Sequence, residues 1–345
     1  MLSRVANSIY WMSRYVERAE NVARFIDVNH HLTLDLPSSS AEQWEPLVDA
    51  SGDIELFRQR YNAPTAKNVI QFLTFDEGNP NSILSCLRGA RENARSVREV
   101  ISSEMWNQLN WVYLFTSNAA RQNLEWNDSH HFYETIKRNS HLFVGVSEDT
   151  MSHTEGWHFG RMGRLIERAD KTSRILDVKY YLLLPDVEAV GTPYDNIQWA
   201  AVLKSASALE MYRKRYQRIW PRHVAEFLIL DQAFPRAMRS CLMGAEESLR
   251  VISGSPVGTY RSAAERSLGR LRSDLDYTDM DEVMRAGMHE WMDLFQVKLN
   301  DMGGAIHATF FALREVSSEG GHLQGARGAQ GSGGLGGRSS QGAQG

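Results

Sequence analysis

Apolar residues step by three and four along the first thirty positions of this chain. Ile9, Met12, Val16, Ala19, Ala23 and Ile26 fall on one face of a helix. Trp11, Tyr15, Arg18, Val22 and Phe25 make a second stripe with the same steps, and an arginine stands in its middle. A helix apolar on two faces is enclosed by neighbours, so the pattern predicts a buried helix over residues 3–30. The period returns over 80–102 in Ile83, Leu87, Ala90, Ala94, Val97 and Ile101. No run alternates strictly for more than a few residues, so no half-buried strand is expected. None of the nine prolines lies between Pro80 and Pro185 or after Pro256, which leaves long stretches free to be helical. Turn residues cluster at 35–40, 62–64, 77–80, 127–131, 184–196, 253–258 and 276–281.

The helical pattern is written twice. YWMSRYVERAENVARFIDV (10–28) returns as GRMGRLIERADKTSRILDV (160–178), keeping Arg14, Glu17, Arg18, Arg24 and Asp27 as Arg164, Glu167, Arg168, Arg174 and Asp177. Any two amphipathic helices share apolar matches. Charged residues repeated at fixed offsets are a stronger sign of tandem duplication. Residues 43–61 and 72–92 likewise return at 198–216 and 227–247, at an offset of 155. The five extra residues enter the second copy near Pro185 and Pro193. The expected organisation is all-α: a tandemly duplicated multi-helix bundle of two pseudo-equivalent halves, 1–150 and 151–316, with five or six helices each. From 317 to 345 the chain turns to Gly, Ser, Gln and Ala, which reads as a disordered tail.

Composition narrows the functional classes. The formal net charge is −4, with acids and bases interspersed, so no nucleic-acid-binding face is expected. The first twenty residues have no apolar core and no window reaches eighteen apolar residues. The expectation is a cytoplasmic, soluble protein without leader or membrane span. Two cysteines exclude a disulfide framework, and Cys86 and Cys241, at matching positions, read as small buried side chains.

The candidate site is the repeated Glu-Arg pair. An arginine in an apolar stripe loses hydration, which is costly unless a carboxylate accepts its fork of donors. Glu17 lies about 100° round the helix from Arg18 and is placed to meet Arg14 and Asn21. A polar stripe of Arg14, Glu17, Asn21 and Arg24 repeats as Arg164, Glu167, Lys171 and Arg174. The partner of each arginine is therefore expected on another helix, with Glu92 and Glu247, or Asp76 and Asp231, as candidates. A structural lock is the favoured reading. A binding site for a charged ligand or peptide and a catalytic site remain alternatives, and the neighbouring arginines oppose the raised carboxylate pKa that a general base needs.

Other motifs carry less. His153 and His158 are five apart, with Gly156 between them, and lack the i, i+4 spacing of a zinc helix. His30-His31 and His130-His131 flank turns and read as surface or capping residues. Gly303-Gly304 suggests close helix contact. Trp44 and Trp199 read as core. Trp106, Trp111, Trp126 and Trp291 read as core, with a groove between the copies as the alternative. No phosphate loop, nucleophile elbow or C-x-x-C motif occurs, and neither metal nor cofactor is expected.

The sequences SRVANSIYWMSRYVERAENVARFIDV and EGWHFGRMGRLIERADKTSRILDV, with the doubled S-C-L-x-x-A-x-E run, resemble the alpha-E domain family. These are bacterial all-helical proteins named for a Glu-Arg motif. The resemblance covers about residues 1–315 and maps the motif onto Glu17-Arg18 and Glu167-Arg168. It implies a genomic neighbourhood of circularly permuted ATP-grasp ligases and transglutaminase-like proteins, hence a peptide synthesis or modification system. The resulting expectation is a non-catalytic helical partner or scaffold for such a ligase, for a transglutaminase-like protein, or for their peptide. The alternative is an enzyme on peptides or amino acids, with Glu17 or Glu167 as base and Arg18 or Arg168 as carboxylate anchor.

Overall fold

The buried N-terminal helix runs from Ser3 to Asp35. It belongs to a computed structural model that describes residues 1–35, 44–122, 129–182 and 193–312. Among these residues there are fifteen α-helices and no strand. In chain order they are α1 (Ser3–Asp35), α2 (Glu45–Ser51), α3 (Ile54–Arg60), α4 (Ala66–Thr74), α5 (Ile83–Ser96), α6 (Ser103–Arg121), α7 (Ser129–Thr150), α8 (Glu155–Leu182), α9 (Pro193–Ser205), α10 (Leu209–Arg215), α11 (Pro221–Leu230), α12 (Met238–Ser253), α13 (Ala263–Tyr277), α14 (Met280–Ala286) and α15 (Met288–Ile306). A π-helical turn, His307–Phe311, closes the body. The tail reading of 317–345 and Trp126 lie outside the described residues.

Local chemistry sets many of the helix starts. The side chains of Thr65, Ser82 and Ser102 each accept the backbone N–H three residues on, and Ser262 with Glu265 forms a capping box. The apolar period over 80–102 does not make one helix. α5 ends at Ser96, and Val97 and Ile101 stay buried through a turn before Ser102 caps α6. A capping serine outweighs continued periodicity there.

Two apolar cores result. One is built from α1 to α7 around Met12, Ile26, Phe57, Phe72, Leu87 and Tyr133. The other is built from α8 to the π-turn around Met162, Trp199, Tyr212, Leu228, Leu242 and Met292, and also takes Ala6 and Tyr10 of α1. Trp44 and Trp199 are buried, whereas Trp111 is exposed. Trp106 is partly buried, with the Arg98 guanidinium 4.8 Å from its ring centre. Gly303 and Gly304 are not at a helix contact: a Cβ on either would meet nothing within 4 Å.

α1 and α8 lie side by side between the cores and run parallel. The N-terminal ammonium meets Glu155, Tyr10 meets Gly163, and Arg18 meets Glu167, so contacts advance together along both helices. Small residues allow close approach. A Cβ on Gly163 would stand 2.5 Å from the Tyr10 carbonyl oxygen, and one on Gly160 would stand 3.0 Å from Ser13 Oγ. Because the first obstacle is backbone, Gly163→Ala should push the helices apart and cost about 1–3 kcal/mol. A chemical denaturation curve for this variant that overlays the wild type would show that the contact is not tight.

Candidate functional site

Parallel helices in register place like-numbered positions at one level. In that geometry a Glu-Arg pair is self-complementary: the glutamate of each helix meets the arginine of the other. Arg18 donates through Nε to Glu167 Oε1 at 2.7 Å and through Nη2 to Oε2 at 3.0 Å. Arg168 donates through Nε to Glu17 Oε1 at 2.7 Å and through Nη2 to Oε2 at 2.8 Å. Both are planar two-point pairs, for which a guanidinium fork is shaped. No part of the Glu167 side chain is exposed, and Glu17 is buried.

The partner of each motif arginine is thus the other motif's glutamate, in place of the partners expected from sequence. Glu92 lies on the α5 surface with Arg91 and Arg95. Glu247 is largely exposed and reaches Arg161 at 2.9 Å. Asp76 and Asp231 fasten the turns after α4 and α11. Asp76 accepts from Arg60 and the Gly78 N–H, and Asp231 from Arg215 and the N–H groups of Ala233 and Phe234. Arg14 does not pair with Glu17 on its own helix. It crosses to Glu167 Oε2 at 2.8 Å, while Asn21 does donate to Glu17 Oε1 at 3.2 Å.

Around this exchange the two sides reach a similar charge balance by different residues. Glu167 holds Arg14 and Arg18, with Lys171 one turn on at 3.9 Å. Glu17 holds Arg168 and Arg236, with Asn21 at the position matching Lys171. Arg236 also reaches Glu20 at 2.9 Å, and its counterpart at the 155 offset is Asn81, which accepts from Arg18 Nη1 at 2.6 Å. A cation absent at Asn21 is therefore supplied at Arg236, and one absent at Asn81 is supplied at Lys171. Arg24 and Arg174 each pair back one turn, with Glu20 and Asp170.

This trade leaves Arg164 in surroundings unlike those of Arg14. Its Nε is buried without a hydrogen-bond partner, and Nη2 reaches Glu148 only at 3.5 Å. Burial, with Arg168 nearby, lowers its pKa, whereas Arg14, beside Tyr10 and Glu167, has its own raised. Arg164 lines a small cavity with Glu17, Ser13, Ser140 and Ser147. The cavity measures about 20 Å³, space for roughly one water.

The electrostatics follow the pairing. Burial alone would raise the carboxyl pKa values, but Arg168 and Arg236 hold Glu17 below the usual range, and Arg18 and Arg14 do the same for Glu167. Glu20 is held well below it by Arg236 and Arg24, and Asp170 is lowered by Lys171 and Arg174. Burial pushes the Cys86 and Cys241 thiols up to about 12, so both are unreactive at neutral pH. Their Sγ atoms face the carbonyls of Pro80 and Pro235.

Of the histidines read as surface or capping residues, His31, His130 and His131 are exposed and only His30 departs from that reading. His153 is exposed and stacks on Trp157, whereas His30 is buried. His31 and His130 come together on Asp27, although 99 residues separate them. Sequence reasoning missed Arg236 altogether. The signal available was its substitution for Asn81 in otherwise matched segments. Among the described residues no helix is long and apolar enough to cross a membrane.

Comparison with known proteins fits this centre. An uncharacterized protein of Mycobacterium bovis and two of Mycobacterium tuberculosis are each 23% identical to this chain over 336 residues. The alignments cover 90% of this chain and 37% of each relative, so the chain spans well under half the length of these proteins. No solved structure matches. Residues 1–311 match the family described as a predicted alpha-helical domain with a conserved ER motif, and the chain belongs to this Alpha-E family.

Proposed function

We propose that this chain is a non-catalytic helical partner, a scaffold of two duplicated halves that serves a peptide synthesis or modification system. The observation that carries the reading is the reciprocal closure of the Glu17-Arg18 and Glu167-Arg168 pairs. Each motif uses its charges on the other, so the most distinctive residues of the chain are engaged in holding α1 to α8. A general base near neutral pH needs a raised carboxyl pKa. Both glutamates are shifted the opposite way, which weighs against the reading of Glu17 or Glu167 as base.

Matched contacts outside the motif support the duplication. Cys86 and Cys241 face prolines at equivalent positions, and Arg60–Asp76 recurs as Arg215–Asp231. The greater length of the mycobacterial relatives supports a module that works beside other segments. Its partners on this reading are a circularly permuted ATP-grasp ligase, a transglutaminase-like protein, or their peptide.

Purified full-length protein is expected to turn over neither ATP nor peptides. Tagged protein recovered from its native host should carry the ligase or the transglutaminase-like protein, as read by mass spectrometry. Turnover that persists through repurification to constant specific activity would replace this proposal with the enzymatic one.

A further inference from the structure

The C-terminal part of α1 carries a cluster that the Glu-Arg centre does not use. Asp27 and His31 are one turn apart on α1, and His130 is in the first turn of α7. Asp27 Oδ1 lies 2.7 Å from His130 Nδ1 and 3.7 Å from His31 Nε2, and the two ring nitrogens are 3.1 Å apart. Asp27 is buried, while His31 and His130 are about half exposed, so the group opens to solvent. Lys137 Nζ binds the other carboxylate oxygen at 2.7 Å, which fixes Oδ1 toward the histidines.

A single proton cannot serve all three atoms. If His130 Nδ1 carries its proton, that single proton is shared between Oδ1 and His31 Nε2. If it does not, its lone pair faces a carboxylate oxygen at 2.7 Å. A cation at the centre satisfies all three atoms at once. Zinc binds imidazole nitrogen and carboxylate oxygen at roughly 2.0–2.2 Å, which around a tetrahedral ion separates neighbouring ligand atoms by about 3.3–3.6 Å. The three observed separations straddle that range. Two imidazoles with one carboxylate suit a first-row transition ion, whereas magnesium and calcium take oxygen ligands.

We propose that Asp27 Oδ1, His31 Nε2 and His130 Nδ1 bind one zinc-type divalent ion. Its remaining coordination positions are open to solvent, and Lys137 orients the carboxylate from behind. The ion clips the end of α1 to the start of α7. The second half supplies an internal contrast. Asp177, at the 150 offset from Asp27, meets His289 Nδ1 at 2.7 Å, but the offset position of His31 is Tyr181. His289 reaches Asp293 at 3.6 Å through its opposite nitrogen, Nε2. One ligand atom from each of Asp177, His289 and Asp293 also lies within 4.8 Å of the others, but this group offers a single imidazole beside two carboxylates, a weaker set for a zinc-type ion. The hydrogen bond to Asp177 raises the His289 pKa. The expected stoichiometry is one ion per chain.

The test uses the full chain without a polyhistidine tag, stripped by chelator and titrated separately with Co²⁺ and Zn²⁺. Expected are one equivalent bound, visible d–d bands with Co²⁺, and a rise in melting temperature with Zn²⁺. His31→Ala and His130→Ala should each weaken binding at least about tenfold, since even loss of a supporting group around a metal costs that much. His153→Ala, at an exposed histidine outside the cluster, should bind like wild type. If His130→Ala proves unstable, His31→Ala carries the test, because the Asp27–His130 and Asp27–Lys137 contacts remain in it. No saturable binding, or unchanged affinity in His31→Ala, overturns the site.

Discussion

Glu167→Gln is expected to lower the free energy of unfolding by about 3–5 kcal/mol, the usual cost of removing one partner from a buried ion pair. The side chain is wholly buried, and its loss of charge strands both Arg14 and Arg18, each only slightly exposed. Arg18→Ala should cost less, because Arg14 and Lys171 still face Glu167. Arg18→Lys should fall between Arg18→Ala and wild type, since a point charge cannot reproduce the two-point pair. Joint removal of Glu167 and Arg18 should cost less than the sum of the single losses, because the two residues are directly coupled. Urea unfolding of the four variants checks the order. A Glu167→Gln protein as stable as wild type would remove the structural role assigned to the motif and leave ligand binding as the better account.

A steep acid limb is the second large effect. Glu17, Glu20, Glu167 and Asp170 all have folded-state pKa values below their ordinary ones, owing to the arginines and the lysine around them. A depressed carboxyl contributes stability that is fully present above its unfolded pKa, about 4.3 for Glu and 3.9 for Asp. That stability is lost as pH falls through the folded value. Asp49 and Asp177, pushed up by burial, act in the opposite sense, but neither belongs to the central network. Melting temperature should decline only gently on acidification to about pH 5, a range in which burial keeps His30 and His158 from taking up the protons they gain on unfolding, and then fall steeply. The fall should be shallower in Glu167→Gln, which has one fewer depressed carboxyl. Stability that stays level from about pH 6 to about pH 3 would contradict the charge pairing described here.

Much of this fold can be read from local pattern, because helix formation depends on spacing and caps. The steps of three and four through Met12, Val16 and Ala23 mark the buried faces of α1. The placement of Arg18 in an apolar stripe states that a carboxylate has to be nearby. The doubled Glu-Arg motif singles out the two helices that meet at the centre. None of this says which carboxylate. Glu92 and Asp76 are acceptable acceptors by charge and spacing. Glu167, 149 residues away, becomes the partner only because α1 and α8 pack parallel and in register. That register depends on the close approach at Gly160 and Gly163, a three-dimensional fit with no one-dimensional signature. The same reason hid the meeting of His31 with His130, whereas Arg236 left a trace in its replacement of Asn81 within otherwise matched segments. Sequence by itself determined that these helices form and that their buried charges require partners. Tertiary packing alone decided who the partners are, because an ion pair depends on distance in space and a periodicity records only distance along the chain.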